Sequence, residues 1–298
     1  MQDEKIIRAE ILGYCMGVRR AVEAVERALL EYPHHKVWTF GPLIHNRIAL
    51  ENLASRGVEI LEDRHIDKLS VKDVVVIRAH GVAPKVKKTL ENTGCILIDA
   101  TCPRVMLSQK RAADFASKGF NVIIAGDKNH GEVTGIAGCA IDPVTGKNLS
   151  ILVENRQDAE KLISVAYDEN IALPEKAILI SQTTISREEY DAVADVLSNA
   201  IKNIKVFDTI CPATMERQKA LQELKGKVDG VLIIGGKNSA NTQRLLMSGK
   251  RIFPYAELIE NASEIPENFR NLKRVGLSAG ASTPDEVIDS IEFDLLNN

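Results

Sequence analysis

Three times along this chain a strand-like run ends at a cysteine and a helix-like run begins, and this recurrence constrains the fold more than any other feature. The first instance reads Ile6 to Leu12, then Gly13-Tyr14-Cys15, then an amphipathic stretch from Val18 to Leu30. In the second, Cys95 to Cys102 is followed by Pro103 and a helical pattern to about Lys118. In the third, Ile204 to Cys211 is followed by Pro212 and a helical pattern to about Leu224. Proline suits the first turn of a helix, where its missing N–H leaves no bond unmade. The segments Asp99-Ala-Thr-Cys102-Pro and Asp208-Thr-Ile-Cys211-Pro nearly repeat each other.

The recurrence continues past each helix. A second strand is expected at Lys36–Phe40, Asn121–Ala125 and Gly230–Ile234, each followed by a polar loop that opens on glycine. His45 lies 30 residues beyond Cys15, while His130 and Ser239 lie 28 beyond Cys102 and Cys211. A third strand then ends in another polar cluster: His80-Gly81, Gln182-Thr183-Thr184, and the segment closing on Ser282. Strand, polar loop and helix in alternation predict an α/β fold with a mostly parallel sheet, whose ligands lie beyond the carboxyl ends of the strands. Three pseudo-symmetric α/β domains are expected, at 13–101, 102–210 and 211–298, the last completed by the N-terminal strand within 1–12. The period of roughly 90–110 residues is too long for a solenoid. Three such domains around a common axis would bring three cysteines and six polar loops to one point.

Three thiolates without a fourth partner suit zinc or an iron–sulfur cluster. The usual zinc signature, a close Cys-x₂₋₄-Cys pair, is absent. A cubane cluster can be held by widely separated cysteines, and three ligands leave one iron open to water or substrate. Cys95 and Cys139 fall outside the recurrence and read as small core residues, and His34, His35 and His65 read as ordinary structural histidines. His45, His80 and His130, with Thr183, Thr184, Ser239, Asn241 and Ser282, form a set of neutral or weakly basic donors able to hold a phosphate or diphosphate. Taken singly, the Ser and Thr residues would pass as helix caps. Glu132, the carboxylate two residues after His130, would be a proton source beside an electron-donating centre.

Composition narrows the class. Asp and Glu number 41 against 38 Lys and Arg, a net charge of −3, and aromatic residues make 4%. Such a balance argues against a nucleic-acid binder. No apolar run reaches signal-peptide or membrane-helix length, so no membrane partner and a cytoplasmic location are expected. Five cysteines, an odd number, in a reducing compartment point to thiolates rather than a disulfide framework.

These segments together resemble the 4-hydroxy-3-methylbut-2-enyl diphosphate reductase family, known as IspH or LytB. The carriers run from Cys15-Met-Gly-Val through His45-Asn46, Ala79-His80-Gly81-Val82, Asp99-Ala-Thr-Cys102-Pro, His130-Gly-Glu132 and Ser181-Gln-Thr-Thr184. They continue through Ile210-Cys211-Pro-Ala-Thr214, Arg217-Gln218 and Ala279-Gly-Ala-Ser-Thr-Pro-Asp285. The resemblance implies a trefoil of three α/β domains around one 4Fe–4S cluster with Cys15, Cys102 and Cys211 as ligands. It implies reductive dehydroxylation of the allylic diphosphate to isopentenyl and dimethylallyl diphosphates, the last step of the non-mevalonate isoprenoid route. It places His45, His80, His130, Ser239, Asn241 and Ser282 at the diphosphate, with Thr184 among the substrate-binding residues. Glu132, Thr183 and His130 stand at the reacting end, Glu132 as the proton donor. A ferredoxin or flavodoxin is the implied electron donor.

Two positions depart from the family pattern. Ala240 stands where Ser is common, so that contact with the diphosphate is lost or made by backbone. Gly131 stands where many members have Pro, which loosens the loop carrying Glu132. A non-catalytic metal-binding or redox-sensing protein would account for the thiolates but not for the recurring His, Thr and Ser positions. A nucleotide-binding enzyme is disfavoured, because Gly235-Gly236-Lys237 lacks the phosphate-loop spacing.

Overall fold

A computed structural model describes residues 5–297. Along the chain come β1 (Ile6–Arg8), α1 (Met16–Glu31), β2 (Lys36–Phe40), α2 (Arg47–Ser55), β3 (Val58–Leu61), β4 (Asp73–Ile77), α3 (Pro84–Asn92) and β5 (Ile96–Asp99). Next are α4 (Pro103–Ala116), β6 (Asn121–Ala125), α5 (Gly131–Ala137), β7 (Ser150–Val153), α6 (Arg156–Asp168), β8 (Lys176–Ser181), α7 (Arg187–Ala200) and β9 (Asn203–Val206). The last are α8 (Pro212–Gln222), β10 (Gly230–Ile234), α9 (Ala240–Ile252), β11 (Ala256–Ile259), α10 (Glu267–Arg270), β12 (Val275–Ala279) and α11 (Asp285–Asn297).

The chain divides into two compact units, one made of Met1–Leu61 with Pro212–Asn298 and the other of Glu62–Cys211. The first contains a parallel sheet in the order β1-β12-β10-β11 and the parallel pair β2·β3. The second contains a parallel sheet in the order β7-β6-β8-β9 and the parallel pair β4·β5. The expected α/β class with parallel strands is what the structure has. Strand β1 lies beside β12, with Ile6 opposite Val275; residues 1–4 of the expected N-terminal segment lie outside the described residues.

Central strands are buried along their length because helices cover both faces. In the second unit Ile123 and Leu179 face a layer containing Tyr190, Val193 and Leu197, while Val122, Ile124 and Ile178 face Ala112 and Ile136. In the first unit Leu232 and Leu277 meet Phe269, Ile291 and Leu295, and Val231 and Ile233 meet Leu221, Leu224 and Leu245. That double burial is why these strands read as continuous Val/Ile runs, each such side chain contributing about 1.5–3 kcal/mol.

Several boundaries differ from the sequence-based expectation: β5 and β9 stop at Asp99 and Val206, short of Cys102 and Cys211. The first strand stops at Arg8 instead of Leu12, although Ala9 N–H still donates to Leu277 O at 2.8 Å. Helix α1 starts at Met16 rather than Val18 because Cys15 is its N-cap: the Sγ accepts from Val18 N–H at 3.5 Å. A sulfur taking the place of the usual oxygen cap is a signal that propensity rules do not carry.

Candidate active site

The three recurring cysteines share one backbone arrangement. Each donates its N–H to a carbonyl in the loop that follows a central strand: Cys15 to Ala281 O at 3.0 Å, Cys102 to Ala79 O at 2.9 Å, and Cys211 to Thr183 O at 2.9 Å. The near-repeated aspartates prepare two of these loops. Asp99 Oδ1 accepts from Thr101 N–H at 3.0 Å, and Asp208 Oδ1 accepts from Ile210 N–H at 3.3 Å. Each is a local turn in which a short acid bonds backbone two residues on, directing the chain toward the cysteine. Burial works to raise the pKa of Asp99, but its bonds from Lys87 and Thr101 outweigh that and hold it below the ordinary carboxylate value.

Cys15, Cys102 and Cys211 are half-buried, whereas Cys139 is buried, donates to Gly135 O at 3.3 Å, and has its thiol pushed up to about 11 by desolvation. Cys95 donates to Leu90 O at 3.6 Å. Both thiols outside the recurrence therefore point at helix carbonyls.

In the second unit the polar loops after β4, β6 and β8 come together. Glu132, 1% exposed, accepts on Oε1 from Thr183 N–H at 2.7 Å and on Oε2 from the Thr183 hydroxyl at 2.8 Å. His130 caps α5, its Nδ1 accepting from Glu132 N–H at 3.3 Å, so its ring proton resides on Nε2. The rings of His80 and His130 meet edge to face with centroids 4.9 Å apart. Gln182, fully buried, links two of these loops: its Oε1 accepts from Asp127 N–H at 2.8 Å and its Nε2 donates to Thr184 Oγ1 at 2.8 Å. Gly131 has a steric role. A Cβ there would collide with the Arg78 guanidinium, whose Cζ would lie 3.0 Å away. Burial lowers the pKa of Arg78, against the opposing charge of Asp63.

In the first unit the loops after β2, β10 and β12 meet. Ser282 Oγ donates to His45 O at 3.4 Å, and Gly236 packs so close to that carbonyl that a Cβ would strike it. Ser239 caps α9, its Oγ accepting from Thr242 N–H at 3.3 Å, and Ala240 is the first residue of the helix. Asn241 is 6% exposed and its Nδ2 has no hydrogen-bond partner among the described residues. A cleft of about 650 Å³ opens here, lined by His45, Asn46, Arg47, Gly236, Lys237 and Glu260 among others. Arg217, 2% exposed, donates Nη2 to Gly13 O at 2.6 Å and so fixes the turn two residues before Cys15.

Gln182, Arg217 and Arg78 were not among the candidate site residues, although the first two lie within the motifs that carry the resemblance. A glutamine inside Ser181-Gln-Thr-Thr184 and an arginine on the apolar side of a short helix were the available signals.

The LytB protein family model matches residues 6–295. The chain belongs to the LytB family. A 4-hydroxy-3-methylbut-2-enyl diphosphate reductase of Treponema denticola is 46% identical over 293 residues, covering 97% of this chain and 98% of that one. One of Aquifex aeolicus is 38% identical over 288 residues, covering 96% and 94%. Among solved structures, an (E)-4-hydroxy-3-methyl-but-2-enyl diphosphate reductase described as the terminal enzyme of the non-mevalonate pathway matches with a TM-score of 0.72 at 36% identity, over 98% of this chain and 99% of that one. The Plasmodium falciparum reductase matches with a TM-score of 0.85 at 28% identity, over 98% and 88%. The LytB chain therefore has the fold and near-full-length kinship of these reductases. Among its described residues no helix is long and apolar enough to cross a membrane.

Proposed function

We infer that this LytB-family chain is a 4-hydroxy-3-methylbut-2-enyl diphosphate reductase, working as an iron–sulfur enzyme at the last step of the non-mevalonate isoprenoid route. The single observation that carries the residue-level reading is Thr183. Its N–H and hydroxyl hold the Glu132 carboxylate while its carbonyl accepts the N–H of Cys211. One residue thus ties a buried acid to a thiol of the recurring set, which suits a reaction needing protons and electrons together.

Cys15, Cys102 and Cys211 are the proposed ligands of one 4Fe–4S cluster. The donors fit: three half-buried thiols in the same backbone setting, with the two other cysteines turned to helix carbonyls. When bound, the cluster supplies the electrons and, lacking a fourth protein ligand, an open iron site. Each of the three segments 13–101, 102–210 and 211–298 (the last with β1) is taken as one domain of the trefoil. A cytoplasmic, reducing setting accords with cysteines that remain thiols.

The chain's own groups then have distinct tasks. Asn241 Nδ2, buried and without a partner, takes a diphosphate oxygen, with His45, Ser239, Ser282 and the backbone at Ala240 around it. His80 and His130 bind the same anion, His130 through Nε2, and Thr184 lies beside them on the loop of Thr183. Thr183 N–H fixes Oε1 of Glu132, so Oε2 is the oxygen that carries the proton toward the leaving hydroxyl, with the Thr183 hydroxyl as relay.

The test is iron and acid-labile sulfide analysis of anaerobically purified protein, with its visible and paramagnetic-resonance spectra before and after the allylic diphosphate. The reading requires sulfide in proportion to iron, a spectral change on adding substrate, and reduction to the two isoprenoid diphosphates. Stoichiometric zinc without sulfide would sink it.

A further inference from the structure

Many cations of this chain sit in ion pairs, Arg8, Lys36, Arg56, Arg187 and Arg270 among them. One face of the second unit departs from that pattern. Arg104 and Arg111 on α4, and Lys118 just past its end, recur every seven residues and so share one helix stripe. Arg111 lies over the Phe207 ring at 4.4 Å, Lys118 over Phe115 at 5.5 Å, and Lys176 over Phe120 at 4.9 Å. Lys205, on edge strand β9, reaches both Phe115 and Phe120 at 5.6 Å. Lys110 is exposed on the same helix. None of these six cations makes an ion pair among the described residues, and Asp114 is the one acid on the exposed arc of α4.

The face also has apolar ground between its charges. Leu107 is 55% exposed and Met106 39%. The rings beneath the cations hold their stems in place, so little side-chain freedom is lost when a partner arrives. Gathering six like charges on a chain of net charge −3 is unfavourable unless something anionic meets them. The position of the face says what that partner carries. Helix α4 begins directly after Cys102, so the band starts at Arg104, two residues past that cysteine, and runs roughly 20 Å by helix rise to Lys118 and Lys176. Strand β9 runs toward Cys211 and ends five residues before it.

We propose that the α4–β9 face docks a small acidic electron-carrier protein of the ferredoxin kind. The proposal rests on the reductase reading, which needs electrons from outside the chain. Each docking oxidises one carrier by one electron. Two such electrons and two protons break the allylic C–O bond, form a C–H bond and release the hydroxyl as water. Steering by the basic band brings the carrier in at the end where the cysteines lie.

The test uses the cluster-loaded protein, a reduced ferredoxin of net negative charge, and an Arg104→Glu/Lys205→Glu double variant; both side chains are exposed and belong to no binding loop. The ferredoxin KM should rise tenfold or more at about 50 mM salt, with the gap closing at about 500 mM as screening takes over. The ferredoxin Kd, titrated by calorimetry without turnover, should weaken in parallel. Arg104→Lys/Lys205→Arg, which keeps the charge, should restore both. Turnover driven by dithionite-reduced methyl viologen should stay at the unaltered protein's level. Unchanged ferredoxin KM and Kd in the charge-reversed variant overturn the docking face and leave the reductase reading standing. No viologen-driven turnover in the unaltered protein overturns the reductase reading instead. Binding of a single-stranded oligonucleotide that is lost on charge reversal and not displaced by ferredoxin overturns the choice of partner.

Discussion

Glu132 in the second unit and Asn241 in the first are buried to similar degrees, 1% and 6% exposed, yet their polar atoms are treated in opposite ways. Both oxygens of Glu132 are taken by Thr183, at 2.7 and 2.8 Å. Nδ2 of Asn241 has no partner among the described residues. A buried donor left unpaired costs about 1–3 kcal/mol, a cost that an arriving anion removes. A group meant to deliver a proton has to be aimed before the substrate arrives, so its geometry is fixed internally. A group meant to bind an anion keeps its valence open. On the roles proposed for Glu132 and Asn241, the two loops divide the work into orientation and capture.

That contrast can be broken most severely at the acid. Glu132→Gln is expected to retain cluster and substrate binding but lower kcat by about 10²–10⁴-fold, the usual share of a positioned acid. Viologen-driven single-turnover rates measure it, and a near-unaltered rate would assign the proton to another group. Asn241→Ala should leave the chemical step alone and weaken the substrate Kd by about 5–150-fold, equivalent to about 1–3 kcal/mol for a bond to a charged group. Calorimetric titration with the diphosphate decides this, and a change confined to kcat would merge the two roles.

A smaller effect is expected at Gly131, where a Cβ meets the Arg78 guanidinium. Gly131→Ala should lower kcat by less than about tenfold, because the group its Cβ meets is the far end of the Arg78 side chain, which can shift at a cost at or below the low end of the usual overpacking range of about 1–3 kcal/mol. In an Arg78→Ala background most of that loss should disappear. Equal losses in both backgrounds would show that the two residues are not coupled. The smallest effect lies at Asp99, whose pKa is held below the ordinary value by Lys87 and Thr101 against burial. A depressed carboxylate contributes stability that is complete above its unfolded pKa, about 3.9, and is lost as pH falls through the folded value. Asp99→Asn should therefore lower Tm at pH 7 by an amount corresponding to about 0–1 kcal/mol, and the gap should shrink below about pH 4. A gap that widens in acid would contradict the sign.

Much of this architecture was legible in the residues. The second strands, Lys36–Phe40, Asn121–Ala125 and Gly230–Ile234, have the bounds expected of them. The last two are buried on both faces and leave nearly uninterrupted apolar runs, whereas Lys36–Phe40 alternates buried Val37 and Thr39 with more exposed neighbours. The four-residue strands Val58–Leu61, Ser150–Val153 and Ala256–Ile259 went unread, since short, partly exposed segments carry no period long enough to register. The polar loops were found by recurrence, yet their internal wiring was not. Gln182 reaching Asp127 and Arg217 reaching Gly13 are contacts between residues 55 and 204 apart in sequence, and nothing in local pattern encodes which distant group a side chain will meet.

The pairing of β1 with β12 sets Ile6 opposite Val275, so one of the earliest strands to leave the ribosome is completed by one of the last. The sheet β1-β12-β10-β11 cannot close during most of synthesis, whereas β7-β6-β8-β9 lies within one continuous stretch and can form as it emerges. Because Cys15 leans on Ala281 beyond that same late strand, its loop is finished only after the loops of Cys102 and Cys211 can already have formed. The backbone partner of Cys15 is thus made 70 residues later in the chain than Cys211, whose own partner, Thr183, precedes it.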